Sequence, residues 1–443
     1  MMLPQEANYC IQALEAAGFG AYAVGGCVRD SLLGLTPADF DLCTNARPEE
    51  IRSVFAAHQL LHHGEKHGTV GVVLNHQVFE ITTFRTEGGY EDSRHPKWVK
   101  FVANVEEDLA RRDFTVNAMA FNPKCGYVDP FGGQKDLENK ILRTVGDPEA
   151  RFREDALRIL RGARFSARFR LTVDPATRAA MERLAPLMDN LARERVFEEL
   201  CKLLLSATAT DLLVFAPLLT QVIPELSASV GFQQHSPHHA FDVFTHTAHV
   251  TEAVPKELGL RWAALLHDIG KPACFTLDEN GRGHFKGHAK VSAEIADVVL
   301  LRLKAPSALR QQVTDLIGLH MTKLEPDKKL LRRRLGKLGQ ERLLELLQLQ
   351  EADMGSKGTG KPDEMDQFPV LRNLIEEVLA EAACFSIKDL AVNGWDLQQA
   401  GIPAGPDIGK CLSWLLGQVQ DEVLPNDRAI LLDTVKKLLE DSR

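Results

Sequence analysis

Asp39 and Asp41 are separated by one residue. If the chain there is extended, both point to the same face, because side chains alternate along a strand. Paired carboxylates on one face supply the oxygen ligands that Mg²⁺ prefers, and Mg²⁺ in turn bridges substrate phosphates. Two such ions can activate an attacking hydroxyl and stabilise a leaving pyrophosphate. Just upstream run Gly25-Gly26-Cys27-Val28-Arg29-Asp30 and Leu33-Gly34. A Gly-Gly turn lets backbone N–H groups approach a phosphate, which makes Gly26 a candidate nucleotide contact, and Arg29 adds positive charge. Glu80, in the extended stretch Val78–Thr83, is the candidate third carboxylate. A D-x-D alone is usually a solvated strand end, and G-G-x-x-R alone is as weak. Both within 17 residues make a far stronger signal.

These residues need a scaffold. Thr69–Leu74 and Val78–Phe84, and the stretch around Phe40-Asp41-Leu42, read as short strands rich in β-branched residues. Glycine pairs at 25–26, 88–89 and 132–133 mark tight turns. From Pro148 onward the apolar spacing is helical. The expected fold class is α+β. A small mixed-sheet head (1–145) is followed by a helical neck (146–205), a helical body (206–355) and a helical tail (365–443). The linker-like stretch 355–363 separates body from tail.

The chain has 443 residues and a net charge of −9, which argues mildly against nucleic acid. The charge is uneven, however. Residues 151–170 carry seven arginines against two acids, and Lys328, Lys329, Arg332, Arg333, Arg334 and Lys337 form a second basic cluster. Such stripes bind phosphates despite a negative total. No long apolar run predicts a membrane span, and residues 1–19 lack a signal layout, so the expected compartment is the cytoplasm. Eight scattered cysteines without a C-x-x-C pair fit reduced thiols.

The head motifs resemble those of class II tRNA nucleotidyltransferases, the CCA-adding enzymes, and of the related bacterial poly(A) polymerases. Both groups belong to the polymerase β-like nucleotidyltransferase superfamily. The resemblance extends through Arg111-Arg112-Asp113-Phe114-Thr115-Val116-Asn117-Ala118, Asp129-Pro130-Phe131-Gly132-Gly133, Glu154-Asp155-Ala156-Leu157-Arg158 and Arg193-Glu194-Arg195. It implies a two-Mg²⁺ transferase that extends an RNA 3′ end, with CTP and ATP as substrates and tRNA as partner.

The resemblance also implies that Asp155 and Arg158 read the base. On a continuous helix these residues, three apart, would share a face with Arg161, Arg164 and Arg168, opposite Ala156, Ile159, Leu160, Ala163 and Ala167. A carboxylate only accepts hydrogen bonds and a guanidinium only donates. Cytosine and adenine each offer a donor and then an acceptor in matching order, whereas guanine and uracil reverse it. One Asp and one Arg therefore select CTP and ATP. Arg112, Arg161 and Arg164 would meet the triphosphate or neighbouring groups.

Within the superfamily, CCA addition competes with CC-only or A-only addition and with polyadenylation. Gly64–Val70 resembles the G-x-K-H-G-T stretch of CCA-adding enzymes, and the basic G-R-R-F type of stretch is absent. A loop over residues 86–97, with a Gly-Gly hinge, favours full CCA addition. An A-adding enzyme remains open.

A second constellation lies in residues 235–325: His246, His267-Asp268, His288 and His320. It resembles the HD metal-dependent phosphohydrolase domain, and such ligands suit a divalent transition metal. His246, His267, Asp268 and His288 are the candidate metal ligands. The pattern should close with an Asp, but after His320 stands Met321, which leaves hydrolysis in doubt; Asp315, one turn away, is a weak substitute. Three functional classes follow: a CTP/ATP-dependent RNA 3′-end transferase, an HD-type phosphohydrolase with a nucleotide-sensing head, and an RNA-binding protein with an inactive head. The intact Asp39/Asp41 pair favours the first. The resemblance implies a tail that holds tRNA, and no protein partner is legible.

Overall fold

In a computed structural model of the chain, the described residues are 1–441, apart from 63, 66, 67, 91–95, 238, 360–364, 382 and 383. They divide into two compact units, Met1–Pro224 and Glu225–Arg443.

The first unit is built on a mixed sheet. Its strands are β1 (Ala21–Val24), β2 (Leu42–Thr44), β3 (Gln59–Leu61), β4 (Thr69–Leu74) and β5 (Gln77–Thr83). A hairpin of β6 (Arg85–Tyr90) and β7 (Pro96–Phe101) precedes β8 (Ala120–Asn122) and β9 (Gly126–Val128). The seven-stranded order is β3-β4-β5-β2-β1-β8-β9, with β6 and β7 paired separately. The pair β2–β5 is parallel, with Leu42 beside Ile81, and β1–β2 is antiparallel. Along β5, Phe79, Ile81 and Thr83 are buried while Val78 and Glu80 are exposed. That period-2 alternation fixes register and puts Glu80 on the open face. Below the sheet, Val24, Cys43, Phe84, Leu109 and Ala118 form part of one apolar cluster.

Helices complete this unit. Pro148–Glu154 starts with proline at its first position, after Asp147, whose carboxylate accepts the Ala150 N–H at 3.0 Å. This pairing of cap and proline is a strong helix start. Leu157–Phe169 packs against Arg193–Leu204.

The second unit is almost wholly helical among its described residues, with one short strand pair at Thr276–Leu277 and Gly283–His284. Leu331, Leu335, Leu343, Phe368 and Ile375 belong to one apolar core, and Leu397, Leu415, Leu431 and Val435 to another. The expected linker is partly docked. Ala240 N–H donates to Lys357 O at 2.9 Å, and Gly358 lies against Phe241. No helix among the described residues is long and apolar enough to cross a membrane.

Two local expectations change. The stretch 86–97 is not a plain loop, because strands flank residues 91–95, which lie outside the described residues. Gly88 is a strand residue opposite Trp98, and a Cβ there would meet the indole at 2.6 Å. That glycine makes room for a ring. Lys66 and His67 of the Gly64–Val70 stretch also lie outside the described residues.

Candidate active site

Strand β2 begins at Leu42, so Asp39 and Asp41 sit on its lead-in rather than inside it. The chain there is nevertheless held as a strand would be, since Val24 N–H donates to Asp41 O at 3.0 Å. One residue beyond the Leu42–Ile81 pair, Asp41 falls beside Glu80. Packing of protein around its carboxyl pushes Asp41 up to about 6. Asp39 adds to the rise, Glu80 adds a smaller share, and Arg112 opposes both. Three carboxylates thus gather where β2 and β5 run side by side.

Gly25 turns the chain from β1 into the helix Gly26–Leu32 with φ 77°, a region that favours glycine. A Cβ at Gly25 would also meet Arg112 Nη1 at 2.8 Å. Arg29, on that helix, is buried. It donates to Asp30 Oδ1 at 2.8 Å and to Asn117 Oδ1 at 2.5 Å, and it lies 4.2 Å over the Phe169 ring.

The neck departs from the expected continuous helix. Asp155 breaks it, with φ −142° and ψ 104°, between Pro148–Glu154 and Leu157–Phe169. Asp155 Oδ1 accepts the Leu157 N–H at 3.0 Å, and Oδ2 accepts Arg195 Nη2 at 2.8 Å. Arg158 donates to Glu154 Oε2 at 2.7 Å and to Arg111 O at 3.0 Å. Asp155 and Arg158 still line the same cleft.

The cleft has a volume of about 450 Å³ and is lined by eight arginines and three aspartates. Gly26, Arg29, Asp41, Arg112, Asp155, Arg158, Arg161 and Arg164 all reach it; Asp39 and Glu80 lie outside its lining. The sequence-based site set missed Arg111, Asp113, Asn117, Arg168 and Arg195, although four of these stand in the quoted motifs. Asp113 is the organiser. It accepts Arg161 Nε and Nη2 at 2.9 and 2.7 Å and Asn117 Nδ2 at 3.0 Å. Burial opposes its charge, but Arg161 and Asn117 outweigh burial and hold the carboxyl well below its usual range. Arg164 pairs with buried Glu199 at 2.6 Å and packs 4.1 Å over the Phe165 ring. The arginines are thus fixed before any ligand arrives, so little side-chain entropy remains to be lost on binding.

In the second unit, His246, His267, Asp268, His288 and His320 converge, and an acid completes the set. Asp353, on helix Gln340–Gly355, stands 2.9 Å from His246 Nε2 and 3.9 Å from His267 Nε2. The carboxylate that stands beside the cluster is thus Asp353, a residue that the sequence-based reading did not name. Two triads, His246–His267–Asp268 and Asp268–His288–His320, each have ligand atoms within 4.8 Å and share Asp268. Lys271 and His267 stand 2.6 and 3.1 Å from Asp268 Oδ2. Burial, reinforced by His267, pushes His320 down to about 4.

Three of the six residues of the second basic cluster pair with acids. Lys328 pairs with Glu377 and Glu381, Arg332 with Glu381 and Glu422, and Arg333 with Asp421.

The fold and this arginine-lined cleft define a nucleotidyltransferase. Residues 21–143 match the family model of the poly(A) polymerase head domain. Residues 170–229 match the probable RNA- and SrmB-binding site of polymerase A, and 285–435 match the putative domain 2 of tRNA nucleotidyltransferase. A CCA-adding enzyme of Ligilactobacillus salivarius is 33% identical over 99% of this chain and 98% of its own. One from Streptococcus sanguinis is 34% identical over the same shares. The crystal structure of the Bacillus stearothermophilus CCA-adding enzyme in complex with CTP superposes with a TM-score of 0.71 at 30% identity, covering 100% of this chain and 99% of that one. The chain belongs to the CCA-adding enzyme family.

Proposed function

We propose that the chain adds C, C and A, without a template, to the 3′ end of tRNA, using CTP and ATP and releasing pyrophosphate. The carrying observation is that Asp41, Asp155 and Arg158 open onto one cleft lined by eight arginines. The arginines neutralise the triphosphate, and Asp155 and Arg158 offer an acceptor and a donor to the base edge. Cytosine and adenine satisfy both, whereas uracil and guanine leave both unpaired. The tRNA 3′-hydroxyl attacks the α-phosphorus; a P–O bond to the RNA forms as the bond to pyrophosphate breaks. Asp39, Asp41 and Glu80 fit a pair of Mg²⁺ ions, because the charges of Asp39 and Glu80 add to the rise in the proton affinity of Asp41, and an oxygen-seeking cation relieves that repulsion. When bound, Mg²⁺ supplies the charge that activates the hydroxyl and stabilises the leaving group. The 365–443 tail holds the tRNA by shape and backbone contacts. Eight free cysteines suit the reducing cytoplasm.

The test uses full-length protein and tRNA ending at the discriminator base. Asp39→Ala and Asp41→Ala each abolish incorporation of labelled CMP while tRNA binding persists. Either variant working at the wild-type rate contradicts the proposal.

A second reading concerns the histidine cluster, and Asp353 favours it. Two imidazoles in each triad share Asp268, with Asp353 beside His246, and such a set of nitrogen and oxygen atoms is a donor set for divalent transition metals. We assign His246, His267, Asp268, His288, His320 and Asp353 to a metal-dependent phosphohydrolase centre of the HD type. Metal content measured on the purified protein tests it: Asp268→Ala loses the metal that the wild type retains. A wild type that is metal-free after exposure to Mn²⁺, Co²⁺ and Ni²⁺ contradicts it.

A further inference from the structure

Eight arginines line the cleft of the first unit, and seven of them already stand within 3.3 Å of a carboxylate. Arg168 is the exception. Among the described residues no acid pairs with it, and its side chain is exposed at the cleft. A carboxylate neighbour offsets an arginine's charge, so Arg168 brings charge that no neighbour cancels.

A ring holds it instead. The Arg168 guanidinium carbon lies 5.0 Å from the centre of Phe169, and that of Arg29 lies 4.2 Å from the same ring. Phe169 stacks on Phe165, one helical turn earlier, with ring centres 6.0 Å apart and planes 22° apart. Phe165 in turn carries Arg164 at 4.1 Å and Arg161 at 5.2 Å. A ring occupies the face of a guanidinium and leaves its edge of N–H donors open. That edge is the part that takes two oxygens of a phosphate. Burial lowers the proton affinity of Arg29, and the charge of Arg168 lowers it further, in opposition to Asp30. An anion at this end of the cleft relieves that repulsion.

The order along the helix says which phosphate. Arg158, Arg161, Arg164 and Arg168 follow at spacings of three, three and four, which keeps them on one side of helix Leu157–Phe169. Arg158 stands at the N-terminal end of the row, beside Asp155, the pair proposed above to read the base. Arg168 stands ten residues on, about 15 Å along the axis at 1.5 Å per residue. A nucleoside triphosphate laid along this row puts its base at one end and its last phosphate at the other.

We propose that Arg168, seated on Phe169, binds the terminal phosphate of the incoming CTP or ATP, and that the stacked Phe165–Phe169 pair positions the arginine row for it. The assignment deepens the transferase reading above and rests on it. It gives the cleft a means of favouring a triphosphate over the diphosphate and monophosphate, which lack this group.

The test uses the full chain with Mg²⁺ and no RNA, so that no transfer occurs, and measures equilibrium binding of CTP, CDP and CMP. Arg168→Ala weakens CTP binding by roughly ten-fold, the worth of one charge-assisted hydrogen bond, and leaves CDP and CMP binding unchanged. Arg168→Lys restores part of the loss. Phe169→Leu keeps apolar bulk without the ring and lowers the preference for CTP over CDP in the same direction, whereas Phe169→Tyr retains it. A wild-type preference for CTP over CDP in Arg168→Ala overturns the assignment, and a loss of tRNA affinity in that variant would then turn the guanidinium toward the RNA. An equal loss for CTP, CDP and CMP overturns it as well, because it reduces Arg168 to a structural role. In either case the transferase reading stands as long as the wild type adds CMP to tRNA and Asp39→Ala does not. A wild type that adds no CMP contradicts that reading, and the assignment falls with it.

Discussion

Arg195 donates to Oδ2 of Asp155 at 2.8 Å, so that carboxylate is held from a different helix, Arg193–Leu204. Asp155 sits in a break between two helices and its own backbone is extended, which makes this outside support necessary for a fixed orientation. Under the base-reading role proposed for Asp155, Arg195 acts as a positioning residue for base choice.

The first prediction follows from that bond. Arg195→Ala lowers the preference for CTP over UTP by about five-fold or more, while Arg195→Lys restores part of it. Asp155→Asn goes further, because an amide can donate as well as accept. Its loss of discrimination corresponds to about 1–3 kcal/mol. Single-nucleotide incorporation with each triphosphate checks both, and unchanged rejection of UTP in Asp155→Asn contradicts the assigned role.

Glu199 carries the second. Its carboxylate pairs with Arg164 at 2.6 Å, and both side chains are almost wholly buried. Removing one partner of a buried pair strands the other charge, at a cost of about 3 kcal/mol. Glu199→Ala should lower stability by this amount in chemical denaturation. A loss below about 1 kcal/mol would mean that the pair is not effectively buried.

Asp41 gives a pH dependence. Its folded pKa of about 6 lies above the ordinary 3.8. In the metal-free protein, folding therefore binds a proton between those two values, so Asp41 lowers stability as pH rises through that window and imposes the full penalty above about 6. Metal binding runs the other way, because the ligand must be ionised. Mn²⁺ affinity at this site should be flat above pH 7 and fall by about ten-fold per pH unit below about 6. Affinity that does not change between pH 5 and 7 contradicts the assignment of Asp41 as a ligand.

Much of this arrangement was legible in the sequence where short-range chemistry decides it. The alternation of β5 and the Asp147-Pro148 helix start are local signals, and both strands after Gly68 appear where the β-branched residues predict them. The break at Asp155 was not legible as a break. Residues 151–170 contain no proline and only one glycine, at Gly162, so they read as one helix. The one available hint was an aspartate two residues before Leu157, a side chain that can cap a new helix. Asp353 was missed for a different reason. The cluster's ligands come from the ends of separate helices, and sequence distance does not say which helices pack together. The acids that pair with three residues of the basic cluster at 328–337, Glu377, Glu381, Asp421 and Glu422, lie far along the chain, so the sequence did not show the pairing.

The central claim is that the protein itself selects C and A and stops. The direct measurement supplies the full chain with Mg²⁺, CTP, ATP and tRNA ending at the discriminator base, and resolves the products nucleotide by nucleotide. The account predicts two C additions that require CTP, one A addition that requires ATP, no further growth, and no incorporation from UTP or GTP. Long A tails, or incorporation of uridine at rates near those of cytidine, would contradict it.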